Sequence, residues 1–515
     1  MRTPIGVWPL ALCVVWMTLG AVACVDPSIT AIPPDGADER DAGNAADEPD
    51  APLDAGEPDA GGEDVTADAI DVPDADEPDG DDMADADGPD IDEPDVDEPP
   101  DEEAGPARYP SDTLRSPVTE HVAQSMRQIR ARSNAPNDLV FMKVGASGTV
   151  SRHLLHCFAG PERESSFELD LDGRQDLLDT IEFFRMAELP GPSNAFNRET
   201  IAARVGRSAT WAISGDPSPL ESEIDAINPR FALVNYGTND MSLGITHQSA
   251  LWPFYANFTA LLDQLIERGI VPIITGLNPR TDDPTAASWV PTYDAVTRGV
   301  AEALQVPYFS MRNGAGPLAD QGLVSDGIHG NTYRDERGRP QPCIFNADGL
   351  EFGYNVRNLL TIESFHDARL VTLEEAPAPD ISSDRWQGQG SSDDPFVIDR
   401  LPFTHHANTA DAPQSELDAY PACDNGQDES GPEYHYRLEL TQATPVRIMA
   451  FDGAGVDVDI HLLGPDGTPE SCLARDDKII ERTLEPGTWT VVVDTFVSRN
   501  NGPQPGPYLL VVGDW

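Results

Sequence analysis

Ser147 stands in the run Val144-Gly145-Ala146-Ser147-Gly148-Thr149, where an apolar stretch ends and a helix-like stretch begins. That junction exposes the hydroxyl at a sheet edge and leaves the serine's own backbone N–H open to a developing oxyanion. Further on, Val205-Gly206-Arg207-Ser208-Ala209 contains a glycine that lets backbone approach a ligand closely. Tyr236-Gly237-Thr238-Asn239-Asp240 closes another apolar run, so the Asn239 amide can donate outward from the sheet. In Ser325-Asp326-Gly327-Ile328-His329 an aspartate precedes a histidine at the separation that lets it fold back and hold the imidazole by its second ring nitrogen. A hydroxyl, a carboxylate-held imidazole and several N–H donors are the parts of acyl transfer through a serine. Singly, Ser147 could be a helix N-cap, Asn239 a turn former and His329 a loop histidine. Their joint order, with Ser147 and Asn239 each following a predicted strand, carries the reading.

The elements that must position these blocks alternate along residues 108–375. Leu139–Val144, Phe231–Tyr236, Ile270–Thr275 and Val306–Phe309 read as buried strands. Val118–Ser133, Ser151–Phe158, Glu221–Ile227, Ala250–Glu267, Tyr293–Leu304 and Asp348–Ile362 read as helices. Such alternation predicts a parallel sheet covered on both faces, with ligands outside the carboxyl ends of the strands. After a polar linker at 376–392, residues 393–515 carry short strand-like runs, Tyr434–Leu440 and Trp489–Asp494 among them. Turns such as Asp452-Gly453 separate them, which is the pattern of an all-β sandwich.

The four blocks in this order resemble those of the SGNH (GDSL-like) hydrolases, whose fold is a flavodoxin-like three-layer α/β sandwich. The resemblance covers residues 138–365, and Gly206-Arg207-Ser208-Ala209 is similar to the second block of rhamnogalacturonan acetylesterases. It implies Ser147 as nucleophile, His329 as general base and then acid, and Asp326 as the group that orients His329. It also implies an oxyanion hole made by the N–H groups of Ser147 and Gly206 and the side-chain amide of Asn239. Ala146 departs from the family's Gly-Asp-Ser, which leaves the local support of the nucleophile turn in question. The resemblance implies no cofactor.

The two ends of the chain speak to location. Arg2 precedes an apolar run, Ile5–Leu19, too short to span a bilayer. Ala21-Val22-Ala23-Cys24 resembles the lipobox of bacterial lipoproteins, so residues 1–24 are expected to be a signal and Cys24 the lipidated residue, with ordinary signal cleavage as the alternative. Of the net charge of -57, about 32 acids against the single Arg40 lie in residues 25–107. That Asp-, Pro- and Ala-rich stretch has too little apolar surface to offset ordering entropy and is expected to be a disordered, extended stalk. A field of this sign repels nucleic acid and leaves the lipid anchor as the one expected membrane contact. The cysteines outside the signal permit three pairings. The simplest is Cys157–Cys343 and Cys423–Cys472, one bridge in each folded part of an exported protein, with free thiols as the alternative.

Other chemistry-bearing residues fit poorly. His153, His156 and Cys157 share helical spacing, but no partner completes a metal site, and none is expected. His405-His406 reads as exposed loop. Asp457-Val458-Asp459 reads as a solvated strand face, with a calcium site including Asp452 as the alternative. Trp211, Trp252 and Trp289 are candidates for a substrate cleft or for core. Residues 393–515 weakly resemble pre-peptidase C-terminal domains through Asp457-Val458-Asp459-Ile460 and Pro486–Val493. The expected function is hydrolysis of esters, with O-acetyl groups on a polysaccharide as the preferred substrate. The alternative is a silent scaffold that displays a carbohydrate- or protein-binding sandwich.

Overall fold

A computed structural model describes residues 105–515 apart from 382, 424 and 425. The expected signal, the Cys24 lipidation site and almost all of the acidic stalk lie outside the described residues.

The first layer set is built on four parallel strands, β1 (Asn137–Gly145), β3 (Pro229–Asn235), β4 (Val271–Thr275) and β5 (Tyr308–Phe309), in the order β1-β3-β4-β5. Beyond β1, Ala203 forms a parallel bridge to Gly145, so residues 202–204 occupy the place of a further edge strand. This gives the flavodoxin-like order with the chain start second from the edge. Two short strands, β2 (Leu169–Asp170) and β6 (Cys343–Ile344), pair separately.

Helices cover the sheet: α1 (Glu120–Ala131), α3 (Asp176–Arg185) and α9 (Gly353–Leu373) form one connected group, and α5 (Pro219–Ile227), α6 (His247–Glu267) and α7 (Pro284–Leu304) complete the layers. Two of these helices begin where local chemistry dictates. Ser218 and Glu221 form a capping box ahead of Pro219, and the Asp283 carboxylate accepts from Thr285 N–H ahead of Pro284. The expected helix at 151–158 is instead a one-turn helix α2 (Ser147–Val150) followed by a turn. Leu155 takes φ 67°, and a 3-10 segment runs over His156–Ala159. The Asn358 side chain accepts from Leu155 N–H and donates to the His153 carbonyl, so α9 imposes that turn.

The second layer set comprises a sheet β13-β10-β17-β8 facing a sheet β12-β11-β14-β9-β7. The first contains β13 (Ile479–Leu484), β10 (Thr444–Asp452), β17 (Pro507–Asp514) and β8 (Phe403–Asn408). The second contains β12 (Cys472–Asp476), β11 (Val458–Leu463), β14 (Gly487–Thr495), β9 (Tyr434–Leu440) and β7 (Phe396–Ile398). Alternate residues such as Val458, Ile460 and Leu462 fill the space between the two sheets.

The sandwich packs directly on α6 and α7. Met449, Phe451, Leu509 and Val511 join the same apolar cluster as the α/β layers. Trp252 stacks on Phe451 with ring centroids 5.4 Å apart and donates its indole N–H to the Ala450 carbonyl at 3.0 Å. The Arg447 guanidinium lies 3.6 Å from the Trp289 ring and donates to Thr292. Glu302 on α7 accepts from Tyr109 N–H and Thr404, and burial pushes its carboxyl up to about 7. Along residues 376–392, Asp380 accepts from Val118 N–H and Trp386 donates to the Thr404 carbonyl.

Two expectations about polar residues are corrected here. His405 is not in an exposed loop: it lies buried on β8, hydrogen-bonded to the Tyr436 hydroxyl at 2.9 Å, while His406 on the opposite face is exposed. Asp459 is not on a solvated face, although it does point away from the core between the sheets. The loop over residues 412–433 covers that face, and Asp459 pairs with Arg475 beneath it at 1% exposure. Cys423 and Cys472, with Cα atoms 5.7 Å apart, form the disulfide that pins the loop down. The other disulfide, Cys157–Cys343 with a Cα separation of 6.1 Å, ties the turn after α2 to β6.

Candidate active site

Ser147 is the first residue of α2, directly beyond the tip of β1, so its N–H has no acceptor one turn back. Gly145 just before it must be a glycine, because a Cβ there would come 2.2 Å from Thr149 Oγ1 and 2.8 Å from the Asn235 carbonyl. Asn239 follows the tip of β3. His329 arrives on the loop between β5 and α9, and that loop is strongly constrained. Gly327 takes φ 72°, Thr281 N–H donates to its carbonyl at 2.8 Å, and Val324 N–H donates to the His329 carbonyl at 2.8 Å.

These residues, spread through the sequence, converge. His329 Nε2 lies 2.7 Å from Ser147 Oγ. His329 Nδ1 lies 2.7 Å from Asp326 Oδ2. Asp326 Oδ1 accepts from the backbone N–H groups of Ile328 and His329, both at 2.9 Å. Burial acts to raise the Asp326 carboxyl, but the backbone and side-chain donors of His329, with Ile328 N–H, outweigh it and hold the group below its ordinary range. An ionised Asp326 fixes Nδ1 as the protonated ring nitrogen and leaves Nε2 with a lone pair toward the serine.

The other predicted donors divide. Asn239 borders the cavity at Ser147, and its amide nitrogen also donates to the Arg207 carbonyl at 3.0 Å. Gly206 sits in the turn closed by Arg207 N–H on the Arg204 carbonyl, with φ 71°; it is exposed and does not border that cavity. The cavity at Ser147 is small, about 30 Å3, and Ile328, Asn278 and Arg357 complete its wall.

Two contributors were not singled out from the sequence. Asp240 accepts from Ala209 N–H at 2.8 Å and Gly237 N–H at 2.9 Å, which clamps the Gly206 and Asn239 blocks together. Burial pushes its carboxyl up to about 6 against the pull of those two donors. Its place directly after Asn239 was the available signal. Arg357, on α9, reaches the Gly148 carbonyl, and no sequence spacing links it to Ser147.

The remaining candidates lie elsewhere. Cys157 is used in its disulfide, His153 contacts Thr332, and His156 is buried 3.9 Å from Glu164. Among the described residues no group of three or more His, Cys, Asp or Glu side chains is placed to hold a metal. Trp252 and Trp289 serve the contact with the sandwich and Trp211 packs on the core; none of the three borders the cavity at Ser147.

Residues 187–333 match the model of the GDSL-like Lipase/Acylhydrolase family. That stretch of the α/β layers is similar to a GDSL-like acylhydrolase domain. The matched stretch holds Gly206, Asn239, Asp326 and His329, while Ser147 precedes it. No curated protein matches the chain. Among solved structures, a GDSL-like lipase from Bacteroides thetaiotaomicron is 13% identical, with a TM-score of 0.28, over 48% of this chain and 99% of its own. A catalytic mutant of an acetylxylan esterase from Geobacillus stearothermophilus is 12% identical, with a TM-score of 0.28, over 44% of this chain and 93% of its own. The pre-peptidase C-terminal domain of a Bacillus anthracis collagenase is 14% identical, with a TM-score of 0.15, over 22% of this chain and 89% of its own.

Proposed function

We propose that the chain is a serine esterase working through Ser147, His329 and Asp326. The observation that carries this reading is the continuous relay from Ser147 Oγ through both ring nitrogens of His329 to Asp326, each link 2.7 Å long. Ser147 Oγ attacks the ester carbonyl while His329 Nε2 takes its proton; the carbonyl oxygen becomes the oxyanion of a tetrahedral adduct. The Ser147 N–H and the Asn239 amide, which border one cavity, are the proposed donors to that oxygen, with Gly206 N–H as the third from the turn that Asn239 holds. His329 returns the proton to the leaving alcohol. It then takes a proton from a water that attacks the acyl-serine, and the acid and free Ser147 result.

The cavity size favours a short acyl group. At about 30 Å3 the cavity has room for a group of acetyl size beside Ser147. An O-acetyl group on a polysaccharide is the proposed substrate, met outside the cytoplasm by an enzyme that Cys24 anchors through lipid. Palmitate incorporation lost on Cys24→Ala tests the anchor. For the chemistry, the full chain is reacted with a fluorophosphonate probe and assayed on p-nitrophenyl esters of increasing chain length. Ser147→Ala is expected to abolish labelling and lower turnover by on the order of 10³-fold or more. Unchanged labelling and turnover in that variant overturn the assignment.

A further inference from the structure

Arg357 is the buried cation at this site that the acyl-transfer steps above leave unused. It is 2% exposed, at the floor between the cavity of Ser147 and an adjoining one of about 10 Å3, and it borders both. The chain as a whole has a large excess of acids, yet among the described residues no carboxylate forms an ion pair with this guanidinium. Its partners are two neutral oxygens, the Gly148 carbonyl at 3.3 Å and Asn235 Oδ1 at 3.2 Å, and Nε has no acceptor. Two long bonds to neutral acceptors do not offset the several kcal/mol that burial of a charge costs. A structural role in the core would be served better by an apolar side chain of the same length.

Its location gives the charge a use. Gly148 directly follows the nucleophile, and a Cβ on it would come 2.8 Å from Arg357 Nη1, so a side chain there would push the guanidinium aside. The Tyr354 hydroxyl donates to the same carbonyl at 3.4 Å. The Gly148 carbonyl is therefore held from α9, next to a turn where Ala146 offers no carboxylate to brace it. A buried cation in the wall of that cavity also lowers the energy of negative charge that develops inside it, and does so more strongly than in bulk solvent.

We infer that Arg357 is a positioning residue for the nucleophile turn and the fixed positive charge of the site, so that the pocket prefers an anionic tetrahedral adduct to the neutral ester. This rests on the esterase reading above. The ligand that reports it is methylboronic acid. Its boron accepts an electron pair from Ser147 Oγ to form a B–O bond, the hydroxyl proton passes to His329, and the adduct is a tetrahedral boronate anion.

The experiment compares the full-length chain with Arg357→Met, Arg357→Lys and Gly148→Ala. Arg357→Met is expected to lower kcat on p-nitrophenyl acetate by about 10²-fold with KM within about threefold, and to weaken methylboronic acid by a similar factor. Arg357→Lys keeps charge without the fork and should recover about tenfold of each loss. Gly148→Ala keeps the arginine and displaces it, so it should reproduce part of both losses; it carries the test if Arg357→Met does not fold. Wild-type kcat and boronate affinity in Arg357→Met, or in Gly148→Ala where that variant is the test, overturn the inference. A wild-type chain that fluorophosphonate does not label overturns the esterase reading itself, whereas a labelled wild type with an indifferent Arg357→Met variant overturns this inference alone.

Discussion

Asp326→Asn isolates the charge behind the imidazole. In the native site Oδ2 accepts from His329 Nδ1 at 2.7 Å while Oδ1 accepts from two backbone N–H groups at 2.9 Å. Asparagine has the same shape and cannot satisfy both sides. With its NH2 toward His329, Nδ1 must become the acceptor and Nε2 carries the proton, so Nε2 can no longer take one from Ser147. With its NH2 toward the backbone, two N–H donors face a third donor and the loop that sets His329 loosens. The lost charge-assisted hydrogen bond is worth about 1.5–3 kcal/mol. The imidazolium that forms during attack also loses its counter-charge, about 1 kcal/mol where solvent screens the pair. Screening applies here, because the Asp326 side chain is 47% exposed. Together these give about 2.5–4 kcal/mol, a fall in kcat of roughly 10²–10³-fold. Steady-state hydrolysis of p-nitrophenyl acetate at mildly alkaline pH measures it, with KM expected to stay within about threefold. A variant that keeps kcat within about fivefold of wild type, or that loses only substrate affinity, refutes the relay.

Three further outcomes follow from the same geometry. Asp240→Ala leaves the N–H groups of Ala209 and Gly237 buried without acceptors, at about 1–3 kcal/mol each; thermal unfolding should shift down and esterase turnover fall together, and an unchanged Tm with full activity would count against the clamp. Replacing Cys157 and Cys343 by serine opens a loop with a sequence separation of 186, for which chain entropy predicts about 5 kcal/mol of lost stability, read by urea denaturation of variant and wild type. The third concerns pH. Burial raises Asp459 to about 8 and Asp494 well above its ordinary value, so the folded chain holds protons that the unfolded chain releases near the ordinary carboxylate range. Their contribution is therefore complete in acid and declines as pH rises toward 8. Tm measured from pH about 5 to 9 should fall across that range in wild type and fall less in Asp459→Asn.

The sequence showed the sheet through its apolar runs, because a strand buried on both faces leaves a mark that no neighbour can erase. It showed less wherever one element answers to another. Asp176–Arg185 buries Leu177, Thr180, Ile181 and Phe184 at helical spacing, yet its acids and the nearby loop residues hid that stripe. The helix Pro284–Leu304 was expected only from Tyr293, because Pro291 inside it argues for a start beyond the proline. Strand β8 carries Thr404 and His405, polar residues that become buried only because α7 and the sandwich close over them. The blocks holding Ser147, Asn239, Asp326 and His329 were legible because each is local and ends at a strand tip or loop. Asp240 and Arg357 were not, since their work is defined by backbone groups that come near only after folding.

The contact between the sandwich and α6–α7 has a mechanical meaning. An accessory module on a slack string would let the catalytic mouth sample every direction around whatever the module grips. Here the indole of Trp252 and the guanidinium of Arg447 lock the two parts as one body. A surface held by the outer sheet would therefore meet Ser147 at one height and one bearing, and esters facing another way would escape.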